Sequence, residues 1–284
     1  MKTIVFACVA VIAWPALGRA EPEPEPATAA RASAGRPATL HRWLYLRLGG
    51  ALVKPLSSSR ELELADIDGP ASLAVENGPI AGSGATIGSA TIPAIIVGWV
   101  LPTASRRWSL EAVLGTPFTV KFEATGTLAN MSIAPSALGI PTGVGALGPT
   151  LGEAQAIPPV VTAVYQLTGG GRLRPYAGAG ASVLFARNAR VTNPTLLAAG
   201  TPEMTIAPAP GLVLQGGLDV QLWRRVHARV DVKFIALMLA RAEVKHIQVE
   251  TPGLPLFDSV EVGTAKMDVW VNPLIVQAGV GYDF

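Results

Sequence analysis

The last nineteen residues, KMDVWVNPLIVQAGVGYDF, constrain the fold of this chain more than any other segment. Counting back from the C-terminus, alternate residues are apolar: Phe284, Tyr282, Val280, Ala278, Val276 and Leu274. The residues between them are small or polar, apart from Ile275. This alternation predicts a β-strand with one apolar face and one narrow, more polar face. A long alternating strand that ends the chain on an aromatic residue is typical of the closing strand of a bacterial outer-membrane β-barrel.

The first twenty residues have the features of an export signal. Lys2 supplies the positive start, residues 4–17 form an apolar core, and residues 18–20 (GRA) offer a small-x-small cleavage site, with cleavage after Gly18 as the alternative. The signal contains two of the 22 basic residues, none of the 20 acidic residues and the single cysteine. We therefore expect an electrically neutral mature chain that can form neither a disulfide nor a thiolate metal site.

The rest of the chain is apolar without long apolar runs. Half of all residues are hydrophobic and the mean hydropathy is +0.40. A membrane-spanning helix needs about 18 or more consecutive apolar residues, whereas the longest runs after the signal are residues 94–102 and 234–240. A transmembrane barrel satisfies both observations, because only alternate residues face lipid. No basic stripe interleaved with aromatic residues occurs, so nucleic acid is not an expected partner.

The domain organisation follows from composition and strand spacing. Residues 21–42 are rich in Pro, Ala, Glu and Arg and lack apolar periodicity, which predicts a disordered periplasmic leader. Within residues 43–284, strands are predicted at 43–54, 86–100, 108–122, 158–167, 175–185, 211–222, 226–240 and 266–284. The connections between them alternate strictly between long and short. This predicts an all-β fold, an eight-stranded antiparallel transmembrane β-barrel with short periplasmic turns and long extracellular loops, located in the outer membrane.

Polar residues in the predicted strands identify the face that lines the lumen. In residues 226–240, for example, Arg229, Asp231 and Lys233 alternate with apolar residues. A charge facing lipid at mid-membrane costs roughly 2–4 kcal/mol, so these residues must point inward. The predicted lumen-facing polar plug contains Glu111, Gln215, Asp219, Arg229, Asp231, Lys233 and Gln277. The alternative is that the same residues select a polar solute. A predicted interfacial aromatic girdle at the periplasmic strand ends contains Trp43, Trp108, Trp223 and Tyr282.

Two prolines identify a candidate lateral exit. Pro93 lies inside the second predicted strand and Pro117 lies near the outer end of the third. Proline removes a hydrogen-bond donor from the ladder and weakens strand pairing locally. An eight-stranded barrel is about filled by its side chains, so a solute that enters from outside must leave through the wall, which favours apolar cargo. A harmless bulge or strand end explains the prolines equally well.

Several segments resemble the OmpW family of small outer-membrane barrels. They are LRLGGALVKP (46–55), EAVLGTPF (111–118), IPPVVTAVYQ (157–166), RPYAGAG (174–180) and residues 268–284, with the ending GVGYDF that contains Val280, Tyr282 and Phe284. The resemblance implies a narrow hydrophobic channel and passive passage of small apolar molecules, with sideways release into the bilayer. It also implies that some members act as colicin receptors. The competing hypothesis is a closed structural barrel or surface receptor whose extracellular loops bind a protein or lipid.

The expected partners follow from this assignment. They are outer-membrane lipid and lipopolysaccharide, a small apolar solute, the barrel-assembly machinery through the C-terminal strand, and a colicin or phage at the loops. No enzyme, cofactor or metal site is predicted. The GxGxxG sequence at 143–148 has neither a preceding strand nor a following helix. His41, His227 and His246 are too scattered to bind a metal together. A hydrolytic pair of His246 with Ser259 is the remaining enzymatic alternative.

Overall fold

The computed structural model describes residues 43–254 and 256–284. The predicted signal peptide (1–20) and leader (21–42) lie outside these ranges. The described strands are β1 (Leu44–Pro55), β2 (Ser58–Ser59), β3 (Glu63–Ala65), β4 (Gly78–Pro79), β5 (Ser83–Ile87), β6 (Ala90–Val100), β7 (Trp108–Gly115), β8 (Phe118–Gly126), β9 (Ser136–Ala137), β10 (Ile140–Pro141), β11 (Thr150–Ile157), β12 (Val160–Gln166), β13 (Leu173–Val191), β14 (Glu203–Ile206), β15 (Ala209–Gln221), β16 (Val226–Ala236), β17 (Leu239–Glu250), β18 (Ser259–Trp270) and β19 (Pro273–Asp283).

Helical structure is limited to short segments. A 3-10 helix spans Gly69–Leu73, α1 spans Thr127–Asn130, and α2 spans Pro194–Ala199. Asn193 caps α2, because its side-chain oxygen accepts a hydrogen bond from the backbone N–H of Leu196. Within the two described ranges, no helix is long and apolar enough to cross a membrane.

Eight strands close into an antiparallel barrel. Their order is β12-β7-β6-β1-β19-β16-β15-β13, and a further ladder between β12 and β13 closes the ring. The first and last strands of the barrel are neighbours, with Tyr45 opposite Asp283 and Pro55 opposite Pro273. Closure leaves no unpaired sheet edge, which is the condition for placing strands in lipid. The predicted closed barrel of eight antiparallel strands is confirmed.

The outer face of the barrel carries the apolar half of each alternating pattern. Exposed aliphatic side chains there include Leu48, Leu52, Leu110, Leu114, Leu212, Leu214, Val230, Val232, Val276 and Val280. The predicted girdle residues Trp43, Trp108, Trp223 and Tyr282 are exposed at the end of the barrel that has the short connections. A continuous exposed aliphatic surface of this kind is compatible with a hydrocarbon environment and not with water.

Four of the predicted strands were too long, because each contains an interruption. The breaks lie at residues 88–89, 116–117, 237–238 and 271–272. Leu237 and Asn272 adopt positive φ angles of 61° and 33°, and Pro117 cannot donate to a ladder. Apolar residues continue on both sides of each break, so the alternation gives no sign of it. By contrast, β13 is longer than the predicted strand at 175–185.

Beyond these breaks, the long connections form an outer β-structure above the barrel. One part continues the barrel sheet from β13 through β11 and β8 to β5, and the other is a separate sheet in the order β14-β17-β18-β3-β4, with β2 on β18. Their buried residues form an apolar core that includes Leu64, Leu128, Val249, Val262 and Val269. The extracellular part is therefore built from packed strands that rest on the barrel.

Candidate functional site

Arg229 is the centre of a buried network in the periplasmic half of the barrel. Its Nη1 donates to Glu111 Oε1 at 2.6 Å and its Nη2 to Glu111 Oε2 at 3.1 Å, a bidentate arrangement. Nη2 also donates to Asp231 Oδ2 at 3.2 Å. The guanidinium lies 4.0 Å above the ring of Tyr176. All these groups are buried, so each charge depends on its partners for compensation.

The network extends along β16 to Lys233, whose Nζ donates to Asp231 Oδ1 at 2.5 Å. Tyr176 links the two ends of this segment, because its hydroxyl donates to Asp231 Oδ2 at 2.5 Å and accepts from Arg229 Nε at 2.5 Å. The Asp231 carboxylate thus accepts from three different side chains. This satisfies a fully buried charge without water.

On the opposite wall, Glu111 accepts two further hydrogen bonds. The Tyr45 hydroxyl donates to Glu111 Oε1 at 2.6 Å, and Gln215 Nε2 donates to Oε2 at 3.0 Å. Thr162 donates to Gln215 Oε1 at 2.9 Å. Arg47 Nη2 donates to Asp219 Oδ2 at 3.1 Å. We call the ten residues linked in this way the polar floor: Tyr45, Arg47, Glu111, Thr162, Tyr176, Gln215, Asp219, Arg229, Asp231 and Lys233.

The polar floor balances its own charges. Its ion pairs are Arg47–Asp219, Arg229–Glu111 and Lys233–Asp231. Positive and negative groups in the floor are therefore equal in number. Removing one charged member would leave its partner as an uncompensated charge in the buried interior of the barrel.

The structure brings together six of the seven residues predicted for the plug: Glu111, Gln215, Asp219, Arg229, Asp231 and Lys233. The seventh, Gln277, is buried, but its side chain makes no hydrogen bond to any other residue in the described ranges. Tyr45, Arg47, Thr162 and Tyr176 were missed. Each interrupts an apolar strand at an inward position, and this same period-2 signal identified the other members.

Two glycines make room for the two missed tyrosines. A Cβ atom on Gly98 would lie 1.9 Å from Tyr45 Cζ, and one on Gly217 would lie 2.3 Å from the Tyr176 hydroxyl oxygen. Each ring therefore lies flat against the backbone of another strand. These two close approaches explain why a wide aromatic side chain fits inside an eight-stranded barrel.

An apolar cavity of about 80 Å³, which we call the barrel cavity, lies on the extracellular side of the polar floor. Its walls are lined by Ala51, Val53, Ala94, Val113, Val160, Leu184, Ile235, Met238, Val271 and Ile275, among others. Lys233 and Gln277 also line it, where it meets the floor. Small inward side chains such as Ala51 and Ala94 leave this space unfilled.

Two smaller, mainly apolar cavities lie further outward than the barrel cavity. The outer cavity, of about 60 Å³, lies within the core of the extracellular β-structure, and Phe122 lines both it and the barrel cavity. A third space of about 20 Å³ shares Val262 with the outer cavity. The three cavities therefore adjoin one another in series, with Phe122 and Val262 at the two junctions.

The two prolines lie at one place in the barrel wall. Pro93 is in β6, opposite Gly50 of β1. Pro117 was predicted within a strand, but it lies in the break between β7 and β8. Proline has no backbone N–H, so it cannot donate a hydrogen bond to a neighbouring strand at this position. The β6–β7 ladder ends at Ala94 opposite Gly115, so both prolines stand at its outer end. Their neighbours Ile92, Gly115 and Phe118 line the barrel cavity.

The histidines lie apart from one another. His227 contacts Arg174 and lies 3.4 Å from Asp283 at the periplasmic end, whereas His246 Nδ1 lies 3.6 Å from Glu261 Oε1 in the outer sheet. Across the part of the chain that the structure describes, no group of three or more His, Cys, Asp or Glu side chains is placed to hold a metal ion.

A closed eight-stranded barrel with an aliphatic outer belt and a charge-balanced interior defines a small outer-membrane β-barrel protein. The chain belongs to the OmpW family, whose family model matches residues 65–284. The family resemblance expected from the strand motifs is thereby confirmed, and the outer membrane is the location of the folded chain.

The chain is similar to several solved structures. The crystal structure of OprG from Pseudomonas aeruginosa has a TM-score of 0.64 and 21% sequence identity, over 86% of this chain and 96% of OprG. AlkL, solved by solid-state NMR in DMPC bilayers, has a TM-score of 0.49 and 17% identity over 90% and 96% of the two chains. Outer membrane protein W from E. coli has a TM-score of 0.44 and 18% identity over 86% and 100%. No curated protein matches the sequence.

Proposed function

We propose that this OmpW-family barrel gives small hydrophobic molecules a passive path from the cell exterior into the outer membrane, with lateral release through the barrel wall. The observation that carries the proposal is the series of apolar cavities that runs inward from the extracellular β-structure and stops at the polar floor. An apolar solute gains by leaving water for such a space.

The polar floor supports a sideways exit over a vertical one. A solute that continued toward the periplasm would have to separate ion pairs whose members are almost completely buried. Breaking one buried pair costs about 3–5 kcal/mol, and an apolar solute offers the separated charges no replacement partner. Entry into the hydrocarbon core of the bilayer carries no such cost for the same molecule.

The outer end of the β6–β7 ladder is the proposed exit. Beyond Ala94 and Gly115 the two strands no longer pair, and Pro93 and Pro117 carry no N–H with which to extend the ladder. Residues on both sides of this gap line the barrel cavity. The wall therefore lacks β6–β7 ladder hydrogen bonds at a place where the cavity approaches the lipid.

We also propose that passage involves no catalysis and no cofactor, since movement of an apolar solute down its gradient requires neither. The enzymatic alternative through His246 and Ser259 gains no support, because Ser259 is opposite Glu250 in the β17–β18 ladder and His246 is beside Glu261.

The test is uptake by liposomes that contain the refolded barrel, with a small apolar fluorescent probe and a polar probe of similar size. We expect faster entry of the apolar probe alone. The double variant Pro93→Val/Pro117→Val, which restores two ladder donors, should slow that entry, whereas Pro102→Val in a short periplasmic turn serves as the matched control and should not. Equal entry of both probes, or no acceleration by a barrel whose folding is verified by heat-modifiable migration, would contradict the proposal.

The second candidate is a closed barrel that acts as a surface receptor. It is favoured by the apolar side chains that the outer β-structure exposes, among them Leu138, Ile140, Leu256 and Phe257. Lipopolysaccharide, a colicin or a phage protein is the proposed partner of such a surface, and the barrel-assembly machinery is the proposed partner of β19 during insertion. A barrel that accelerates neither probe but binds purified lipopolysaccharide through these residues would favour this second function.

A further inference from the structure

Gln277 places an unpaired amide at the bottom of the barrel cavity. The residue is 5% exposed and lines the cavity, and its side-chain amide forms no hydrogen bond with the rest of residues 43–254 and 256–284. Asp231 is directly opposite it in the β16–β19 ladder. That carboxylate, however, already accepts from Lys233, Tyr176 and Arg229. The Gln277 amide therefore keeps two N–H donors and one carbonyl acceptor for an occupant of the cavity.

Lys233 supplies a second polar group at the same place. It also lines the cavity, and it is the diagonal neighbour of Gln277, because its ladder partner is Ile275. An ammonium group has three N–H donors, and the structure shows one of them engaged, with Asp231. The two side chains thus form a small hydrogen-bonding patch beneath apolar walls.

Charge balance decides which head group this patch accepts. The polar floor contains equal numbers of positive and negative charges, so a bound carboxylate would add one uncompensated buried charge. A pure hydrocarbon would leave the Gln277 amide unpaired against apolar surface. A neutral hydroxyl avoids both penalties, because it accepts from Lys233 or the Gln277 N–H and donates to the Gln277 carbonyl oxygen.

We propose that the barrel cavity selects a neutral amphiphile, a short aliphatic chain with one terminal hydroxyl. The hydroxyl lies against Gln277 and Lys233, and the chain points outward to Phe122, where the outer cavity begins. This inference rests on the proposed function, since it specifies which small hydrophobic molecules the cavity receives.

The test measures occupancy of the cavity directly. Met238 lines the cavity wall and is fully buried, so its ¹³C-labelled methyl group in the refolded full-length barrel reports any occupant, whatever its head group. The methyl signal is assigned with Met238→Leu. The protein in lipid nanodiscs is titrated with 1-pentanol, pentane and pentanoate at matched concentrations in the bilayer, and a dissociation constant is taken from each saturating shift.

We expect 1-pentanol to bind more tightly than pentane or pentanoate. In Gln277→Leu, which removes no hydrogen bond within the protein, affinity for 1-pentanol should fall about tenfold, as for the loss of one buried hydrogen bond, while affinity for pentane stays unchanged or rises. The matched control is Gln221→Leu, the same change on β15 outside the cavity, and it should bind all three compounds as the wild type does.

The outcomes separate this inference from the proposed function. Equal shifts with pentane and 1-pentanol, or no effect of Gln277→Leu, would overturn the head-group assignment and leave the apolar path intact. Tighter binding of pentanoate would overturn it in favour of an anion site on Lys233. If Met238 responds to none of the three compounds, the cavity receives no solute and both proposals fail.

Discussion

The two halves of the barrel interior are built from the same eight strands but have opposite chemistry. Toward the periplasm many inward side chains are charged and hydrogen-bonded. Toward the exterior the inward side chains are apolar, and together they leave a cavity. The change occurs within one inward step on several strands: Glu111 to Val113, Thr162 to Val160, Gln215 to Val213, Lys233 to Ile235, and Gln277 to Ile275. The boundary is therefore a property of the whole barrel and not of one strand.

This contrast means that the same barrel has a packed interior toward the periplasm and a hollow interior toward the exterior. A buried ion pair stabilises the fold only while both charged side chains stay in contact. The polar floor is therefore expected to be rigid. The apolar half has no such requirement, and its strands are interrupted just above the cavity. In the proposed function, a solute enters a hollow interior from outside, meets the closed floor and leaves sideways where the β6–β7 ladder ends.

The largest expected effect comes from breaking the polar floor at its centre. Replacing Arg229 by Met leaves Glu111 without its cationic partner in a buried site and leaves Asp231 with Lys233 alone. The free energy of unfolding should fall by about 3–5 kcal/mol. Urea unfolding of the barrel in lipid vesicles, followed by tryptophan fluorescence, measures this change. A loss below about 1 kcal/mol, the range of exposed pairs, would mean that the floor is not a compensated charge network.

A smaller effect is expected from crowding the floor without removing a charge. A methyl group added by Gly98→Ala would collide with the Tyr45 ring and displace its hydroxyl from Glu111. We expect a loss of about 1–3 kcal/mol, as for other overpacked sites. Gly50→Ala is the matched control, because a Cβ on Gly50 meets no atom within 4 Å. The same urea titration compares them, and equal stability of the two variants would contradict the close packing of Tyr45.

The smallest effect is expected from an ion pair outside the barrel interior. Arg190 pairs with Glu153 in the outer β-structure, with the arginine side chain 71% exposed. Because water and salt screen such a pair, Arg190→Gln should change the free energy of unfolding by about 0–1 kcal/mol. The comparison with Arg229→Met applies one method to two arginine–carboxylate pairs. Similar losses of stability in both variants would mean that burial does not determine how much these pairs contribute.

The polar half was largely predictable from the sequence, because a charge on a membrane strand has only one tolerable direction. Asp231 and Lys233 illustrate this, since alternation alone places both inward. Gln277 was assigned to the same plug by its position in β19, but whether it pairs depends on Asp231, whose oxygens are already occupied by residues from two strands. Pairing is a property of three-dimensional contacts that spacing along one strand does not contain.

The apolar half was less predictable for two physical reasons. Apolar alternation continues through the breaks, and Leu237, which adopts a positive φ angle, is not a residue type that marks a break. A cavity, moreover, is a volume that several strands fail to fill together. Phe122 appears in sequence as one more apolar strand residue, and only the packed structure shows that it separates two cavities.

The central claim is that the barrel cavity, and not the lipid-facing surface, conducts the apolar solute. The most direct test fills that cavity with Ala94→Phe and adds the same side chain outside with Val97→Phe on the same strand; Ala94 lines the cavity, whereas Val97 is exposed. Both variants are compared with the wild type in apolar-probe uptake by liposomes, after heat-modifiable migration has verified folding. We predict that Ala94→Phe reduces uptake to that of protein-free liposomes while Val97→Phe retains the wild-type rate. Undiminished uptake in Ala94→Phe would contradict the claim.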